Sequence, residues 1–191
     1  MAAGRPQEFL EVRQDDGEHF VVPNKVPTQW RHIPTIRLAD GVIAKNSVNL
    51  VESLDPLVVG YVNSRAYALW CEVVDGGTSG GGRSLPPGTT YNTFPFPELG
   101  EEDDAIRDGT KALMLARSYG LIGTLDDLYG DPELTPEPVK KAHAELDRRV
   151  ASAFGLPVDA TDDELREALF LRYDKLTTTQ PEKPPSHRQA A

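Results

Sequence analysis

The run Gly77-Thr78-Ser79-Gly80-Gly81-Gly82-Arg83-Ser84 is the stretch whose residue types and spacing most invite a chemical reading. It fits the phosphate-cradling pattern G-x-x-x-x-G-K-[ST], except that Arg83 stands where lysine belongs. A planar guanidinium is a poor substitute for the compact ammonium that reaches between phosphates. Such a loop must also follow a strand and open a helix. This one follows a helical pattern and runs into Pro86-Pro87, so it reads as a flexible surface loop. Its other chemical reading is contact with DNA. Glycines let a backbone approach phosphates closely, and Arg83 has the fork that pairs with a phosphate or, bidentately, with guanine.

Other candidate groups resolve into structural roles. His143 lies beside the apolar face of a helical pattern, with no second His or Cys at metal-ligand spacing, and reads as a partly buried structural histidine. Cys71 is the single cysteine, which excludes an intramolecular disulfide and is expected as a packed thiol. Glu137 and Lys140, with Asp131 upstream, echo a nuclease carboxylate–lysine cluster, but their spacing matches no such site and they read as solvated helix-end charge. Asp126-Asp127 near Tyr129 lacks the ring of oxygen ligands that a metal needs. Neither Pro86-Pro87 nor Pro184-Pro185 has the polar residue before and the aromatic after that position a flipped base for amino-group methylation. No G-x-G follows an expected strand as a dinucleotide or methyl-donor cradle requires. The residues assemble no active site, and no catalytic, cofactor or metal position is assigned.

Charge limits the partners. The net charge is −10; the first 99 residues carry 8 Lys/Arg against 11 Asp/Glu, and the rest carry 12 against 19. Phosphate contacts supply most non-specific affinity for nucleic acid, so a free-standing duplex binder is usually basic. Any hold on DNA is therefore expected to be weak without a basic partner surface beside it. No apolar run approaches the roughly 18 residues that span a bilayer, and residues 1–8 lack the apolar stretch of a signal peptide. A cytoplasmic protein without a membrane partner is the expectation.

The elements that must position these groups form two halves. Phe20-Val21-Val22, Val42-Ile43-Ala44 and Val48-Asn49-Leu50-Val51 are short and β-branched, as strands should be. Over residues 54–75 the period lengthens. Leu54, Leu57, Val58 and Tyr61 share one helical face, and Ala66, Leu69, Trp70 and Val73 another, which predicts a helix pair joined at Val62-Asn63-Ser64 with Ser64 as N-cap. Tyr91-Asn92-Thr93-Phe94-Pro95-Phe96-Pro97-Glu98 can enter neither a helix nor a central strand, because proline fixes φ and lacks an N–H. It predicts a rigid extended connector whose rings dock one module against another. Three helices follow. The first carries Ile106, Leu113 and Ala116 behind the acidic run 101–104. The second spans about 136–154, with Thr135 as cap, Val139, Ala142, Leu146, Val150 and Phe154 on its apolar face, and Gly155 as its stop. The third opens on the capping box Thr161-x-x-Glu164 and carries Leu165, Leu169, Tyr173 and Leu176. The fold class is α+β: a flexible segment over 1–18, a partial mixed α/β domain over 19–99, a small helical domain over 100–177 and a disordered tail over 178–191.

Taken in order, His32-Ile33-Pro34-Thr35, Val42-Ile43-Ala44, Gly60-Tyr61-Val62-Asn63-Ser64-Arg65, Trp70 and Tyr91–Glu98 resemble the carboxy-terminal part of MmeI-type enzymes. The likeness continues through Leu125–Tyr129, Lys141–Asp147 and Leu169–Tyr173. That family fuses a nuclease, an adenine-specific DNA methyltransferase and a target recognition domain in one chain. The resemblance implies that residues up to about 98 form the later part of a recognition domain that reads bases, and that 100–176 form a helical cap near the methyltransferase. It implies S-adenosylmethionine for the full-length enzyme but no cofactor for this chain, whose sequence lacks the family's methyl-donor, base-flipping and nuclease motifs. Where the family carries a polar, arginine-containing reading segment between Trp70 and Tyr91, this chain has its glycine run. Thr78, Ser79 and Arg83 are then the side chains expected to reach DNA. The implied function is a target-recognition and scaffold module of a restriction–modification or adenine-methyltransferase system. It would act beside a methyltransferase or nuclease polypeptide or upstream domain. The rivals are a catalytic adenine-methyltransferase fragment and a protein-interaction module that never touches DNA.

Overall fold

Phe20-Val21-Val22 becomes the middle of a sheet because both of its edges find partners. In the computed structural model, which describes residues 14–51, 53–74, 78–79, 82–120 and 124–178, β1 (His19–Pro23) pairs antiparallel with β3 (Ile36–Leu38) on one side and β4 (Val48–Val51) on the other. Between β1 and β3 lies β2 (Lys25–Pro27), which leaves for a second sheet. The expected strand at Val42-Ile43-Ala44 is not one; Val42 and Ile43 are exposed loop residues. Their β-branched side chains suit a strand, but the backbone there is satisfied elsewhere. Gln14 donates to Val42 O (2.8 Å) and accepts from Ala44 N (2.7 Å), and Val42 N donates back to Ala39 O.

The helix pair forms as its periodicity predicts. α1 (Pro56–Asn63) is capped by Asp55, whose carboxylate accepts from Leu57 N at 2.9 Å. Ser64 ends α1 and opens α2 (Arg65–Val74): its hydroxyl donates to Tyr61 O (2.6 Å) and accepts from Tyr67 N (3.4 Å). Asn63 is fully buried and bonds Thr35 through both its backbone N–H and its hydroxyl, pinning the 32–36 segment to the end of α1. Leu57, Val59, Tyr61 and Val62 are all buried, so α1 is covered nearly all round, as a central helix must be. Leu54 and Val73, expected on the apolar faces, lie at the margins and are exposed.

The glycine-rich run is not simply a loop. Thr78–Ser79 (β5) and Gly82–Ser84 (β6) pair antiparallel, and β6 pairs with β2 to complete a sheet ordered β2-β6-β5. Gly82 serves close approach: a Cβ there would stand 2.6 Å from the Lys25 side chain.

The remaining elements are α3 (Asp103–Gly120), α4 (Leu125–Tyr129), α5 (Glu137–Ala153) and α6 (Asp162–Thr178). Thr161 and Glu164 form the expected capping box on α6, and Gly155 ends α5 at φ +76°. Thr135 does not cap α5. Its hydroxyl donates to Leu128 O at 2.7 Å, and Pro136 occupies the cap position without a side-chain bond. α4 was not expected; it is set by a second capping box, Thr124 with Asp127.

One contiguous core spans both halves. It joins Tyr61, Val62, Leu69 and Trp70 to Ile106, Leu113, Val139, Leu146 and Leu169. The Phe-Pro-Phe-Pro connector runs inside this core rather than over it. Phe94 is 5% exposed and packs against Tyr61, Tyr67, Phe96 and Phe154, while Arg172 of α6 donates to Phe96 O at 2.7 Å. Trp70 likewise meets Phe170 and Tyr173 of α6. The first 13 residues and those from 179 onward lie outside the described residues.

Candidate functional site

Among the described residues, the β5–β6 hairpin meets α2 through an ion pair between a buried arginine and a partly exposed glutamate. Arg83 is 7% exposed, and its Nη2 donates to Glu72 Oε1 at 3.2 Å; its buried Nη1 has no hydrogen-bond partner among the described residues. Glu72 is shared. Arg65 Nη1 reaches the same oxygen at 3.0 Å, and Arg166 of α6 reaches Oε2 at 3.1 Å. Arg65 and Glu72 lie seven residues apart on α2, two turns, and so share a face.

Arg65 extends the network outward. Its Nε and Nη2 both donate to Asp162 Oδ2 (3.1 and 2.8 Å), Nη1 also donates to Arg31 O (2.9 Å), and Arg31 pairs with Asp162 Oδ1 (3.2 Å). Burial works to lower the Arg65 pKa, but the Asp162 bond and the Glu72 charge outweigh it, and the net shift is upward. Burial likewise works to raise the Asp162 pKa, and the Arg65 bond and charges bring the net shift down. Both groups therefore hold their charge.

Beside the network lies a cleft of about 400 Å³ lined by Arg31, His32, Lys140, His143, Asp147 and Arg148, among others. Its polar groups are mostly committed to one another. His32 Nε2 donates to Asp147 Oδ2 at 2.8 Å, and Asp147 Oδ1 accepts from Arg65 N at 2.8 Å. His32 stacks on His143 with ring centroids 3.9 Å apart, and His143 Nε2 shares a hydrogen bond with Tyr129 Oη at 2.9 Å. Burial first, then His32 and Arg117, push the His143 imidazole well below its ordinary pKa. This neutral, 4% exposed ring is a structural histidine joining the 32–36 segment to α4 and α5.

The other residues singled out from the sequence are scattered. Thr78 and Ser79 lie on β5, beside Arg83 and Gly82 of β6 in register. Cys71 is fully buried in α2. Asp126 accepts from Trp30 Nε1 (3.4 Å), Asp127 caps α4, and Glu137 pairs with Lys141 at 3.8 Å rather than with Lys140. Among the described residues, no group of His, Cys, Asp and Glu could hold a metal ion, and no helix is long and apolar enough to cross a membrane. Among the described residues, the glycine-rich stretch does not form a methyl-donor cradle. Thr78–Ser79 and Gly82–Ser84 pair antiparallel, where such a cradle needs a strand-to-helix turn. Sequence reasoning missed Glu72, Arg65, Asp162 and Arg166. The two-turn spacing of Arg65 and Glu72 was a usable signal; their partners, up to 97 residues away, left none.

The family model described as the MmeI target recognition domain matches residues 1–98. The chain belongs to this family. It is 29% identical over 177 residues to DNA methyltransferase A of Bacillus subtilis (strain 168), a match covering 90% of this chain and 19% of that protein. It also matches the structure of the type IIL restriction–modification enzyme MmeI in complex with DNA, with TM-score 0.82 and 29% identity over 91% of this chain and 23% of that one. The chain therefore spans only about a fifth of the relatives it matches. The α+β class expected from the sequence is the class of this MmeI-type fold, and the structural likeness continues past residue 98 into the helices.

Proposed function

We propose that this chain is the DNA target-recognition and scaffold module of an MmeI-like restriction–modification or adenine-methyltransferase system. The observation that carries this reading is the agreement of fold and sequence with an enzyme whose structure was solved on DNA, over nearly the whole chain. Methyl transfer from S-adenosylmethionine and DNA cleavage belong to a methyltransferase or nuclease polypeptide or upstream domain. The β5–β6 hairpin is the reading element: Thr78 and Ser79 offer hydroxyls to base edges or phosphates, and Arg83 follows once it leaves Glu72. The helices from α3 onward are the scaffold, and the cytoplasm, where DNA is met, is the place of action.

The −10 net charge sets the expected strength. Few phosphates can be neutralised by this chain alone, so a gel shift at physiological salt should show little retention of a duplex. Adding the catalytic polypeptide should produce a sequence-dependent shift that Thr78→Ala and Ser79→Ala weaken. Tight binding by the isolated chain, or a complex indifferent to both substitutions, contradicts the proposal.

A further inference from the structure

Glu72 is one carboxylate facing three guanidinium groups from three different elements. Arg65 belongs to α2 itself, Arg83 to β6 and Arg166 to α6, all within 3.2 Å of one of its oxygens. Arg65 and Arg166 have other carboxylates, Asp162 and Asp163. Among the described residues, Arg83 has only Glu72. The hairpin's own ladder is short: β5 contributes two residues and β6 three. On its other edge β6 pairs with the three-residue β2, so the whole sheet β2-β6-β5 is made of strands of two or three residues, short for a sheet that must stand by itself. Glu72 adds an anchor from outside this short sheet, because charge-assisted, geometrically specific bonds hold a buried arginine strongly.

We propose that Glu72 is the positioning residue of the recognition hairpin. Held from behind by Arg65 and Arg166, it anchors Arg83, sets where the hairpin stands, and withholds Arg83 from DNA until the pair is broken. The consequence is that α6, far along the chain from the hairpin, belongs to the recognition apparatus through Arg166. The DNA part of this inference rests on the function proposed above; the positioning part does not.

The test uses the full chain with Glu72→Gln, and separately Arg83→Gln, which cuts the same bond without leaving three cations facing one another. Amide hydrogen exchange at residues 82–85 should accelerate on the order of tenfold or more in both, while α3 and α5 amides stay unchanged. Duplex binding then reads the withheld arginine. With a mixed-sequence 30-mer, the slope of log K against log salt should steepen by about 0.9 in Glu72→Gln, one extra phosphate contact. It should return to the parent value in the Glu72→Gln/Arg83→Gln double variant. Unchanged exchange at 82–85 in Arg83→Gln overturns the positioning role, even if Glu72→Gln fails to fold. A steepened slope that survives in the double variant overturns the withholding of Arg83. Absence of duplex binding by every variant, even with the catalytic polypeptide present, counts against the DNA reading, and the exchange data still decide the role of Glu72.

Discussion

Gly60 sits in the middle of α1 where helix propensity and packing pull in opposite directions, so its replacement by alanine separates the two. Alanine is favoured over glycine in a helix interior by about 1 kcal/mol. The added methyl, however, would overlap Thr110 Oγ1 and stand 2.8 Å from Ile106 Cγ2, with Leu146 Cδ1 behind at 3.5 Å. Thr110 cannot turn away cheaply: it is 1% exposed and its hydroxyl donates to Ile106 O at 2.7 Å. Overpacking a tight core costs about 1–3 kcal/mol, and losing that hydrogen bond adds about 1 kcal/mol. Packing wins, with a net loss of about 1–3 kcal/mol. With a urea m-value of about 1–3 kcal/mol/M, the unfolding midpoint of Gly60→Ala should fall by roughly 1 M at unchanged m. Thr110→Ala in the same chain should recover part of that. A midpoint equal to or above the parent's would mean that α1 is not pressed against α3 at this point, and the account of the shared core would fall.

Two further expectations concern the helical half. His143 is held neutral in the fold, its pKa well below that of an unfolded histidine near 6.5, so the unfolded chain binds the extra proton. Its stabilising contribution is complete above that value and declines as pH falls through it toward the lower folded pKa, by up to about 1.4 kcal/mol per pH unit. Urea midpoints between pH 7.5 and 5.5 should show the decline and His143→Gln should flatten it; a parent profile already flat there refutes the mechanism. Thr161→Ala removes the hydroxyl that accepts from Glu164 N at 3.3 Å and should cost about 1 kcal/mol. Amide exchange in residues 162–165 should rise, and protection equal to the parent's would show that the cap contributes nothing.

What the sequence made legible was local chemistry. Ser64 announced the break between α1 and α2, Gly155 the end of α5 and Thr161-x-x-Glu164 the start of α6, because each signal acts within one helical turn. The strands were harder. Ile36–Leu38 and Lys25–Pro27 are three residues long, too short to show a period, and their partners lie far along the chain. Val42-Ile43 misled because intrinsic preference says nothing about Gln14, whose side chain took the backbone groups a neighbouring strand would have used. α4 escaped because five residues carry no amphipathic stripe, and its box uses Asp127 where Glu or Gln is usual. Of the candidate site, the glycine run and Arg83 were visible as types. That a glutamate eleven residues earlier on α2 and an arginine on α6 would hold that arginine was a fact of tertiary arrangement alone.

The burial of Phe94 has a consequence for where this chain can be cut. A family boundary at residue 98 suggests a module that could be lifted out, yet the rings around it are gripped from both sides, by Tyr61 and Tyr67 before it and Phe154 after it. A graft cut there would strand a greasy wall on each fragment. Under the function proposed above, an exchange of the β5–β6 hairpin leaves these rings together, whereas a cut at residue 98 separates Phe94 from Phe154.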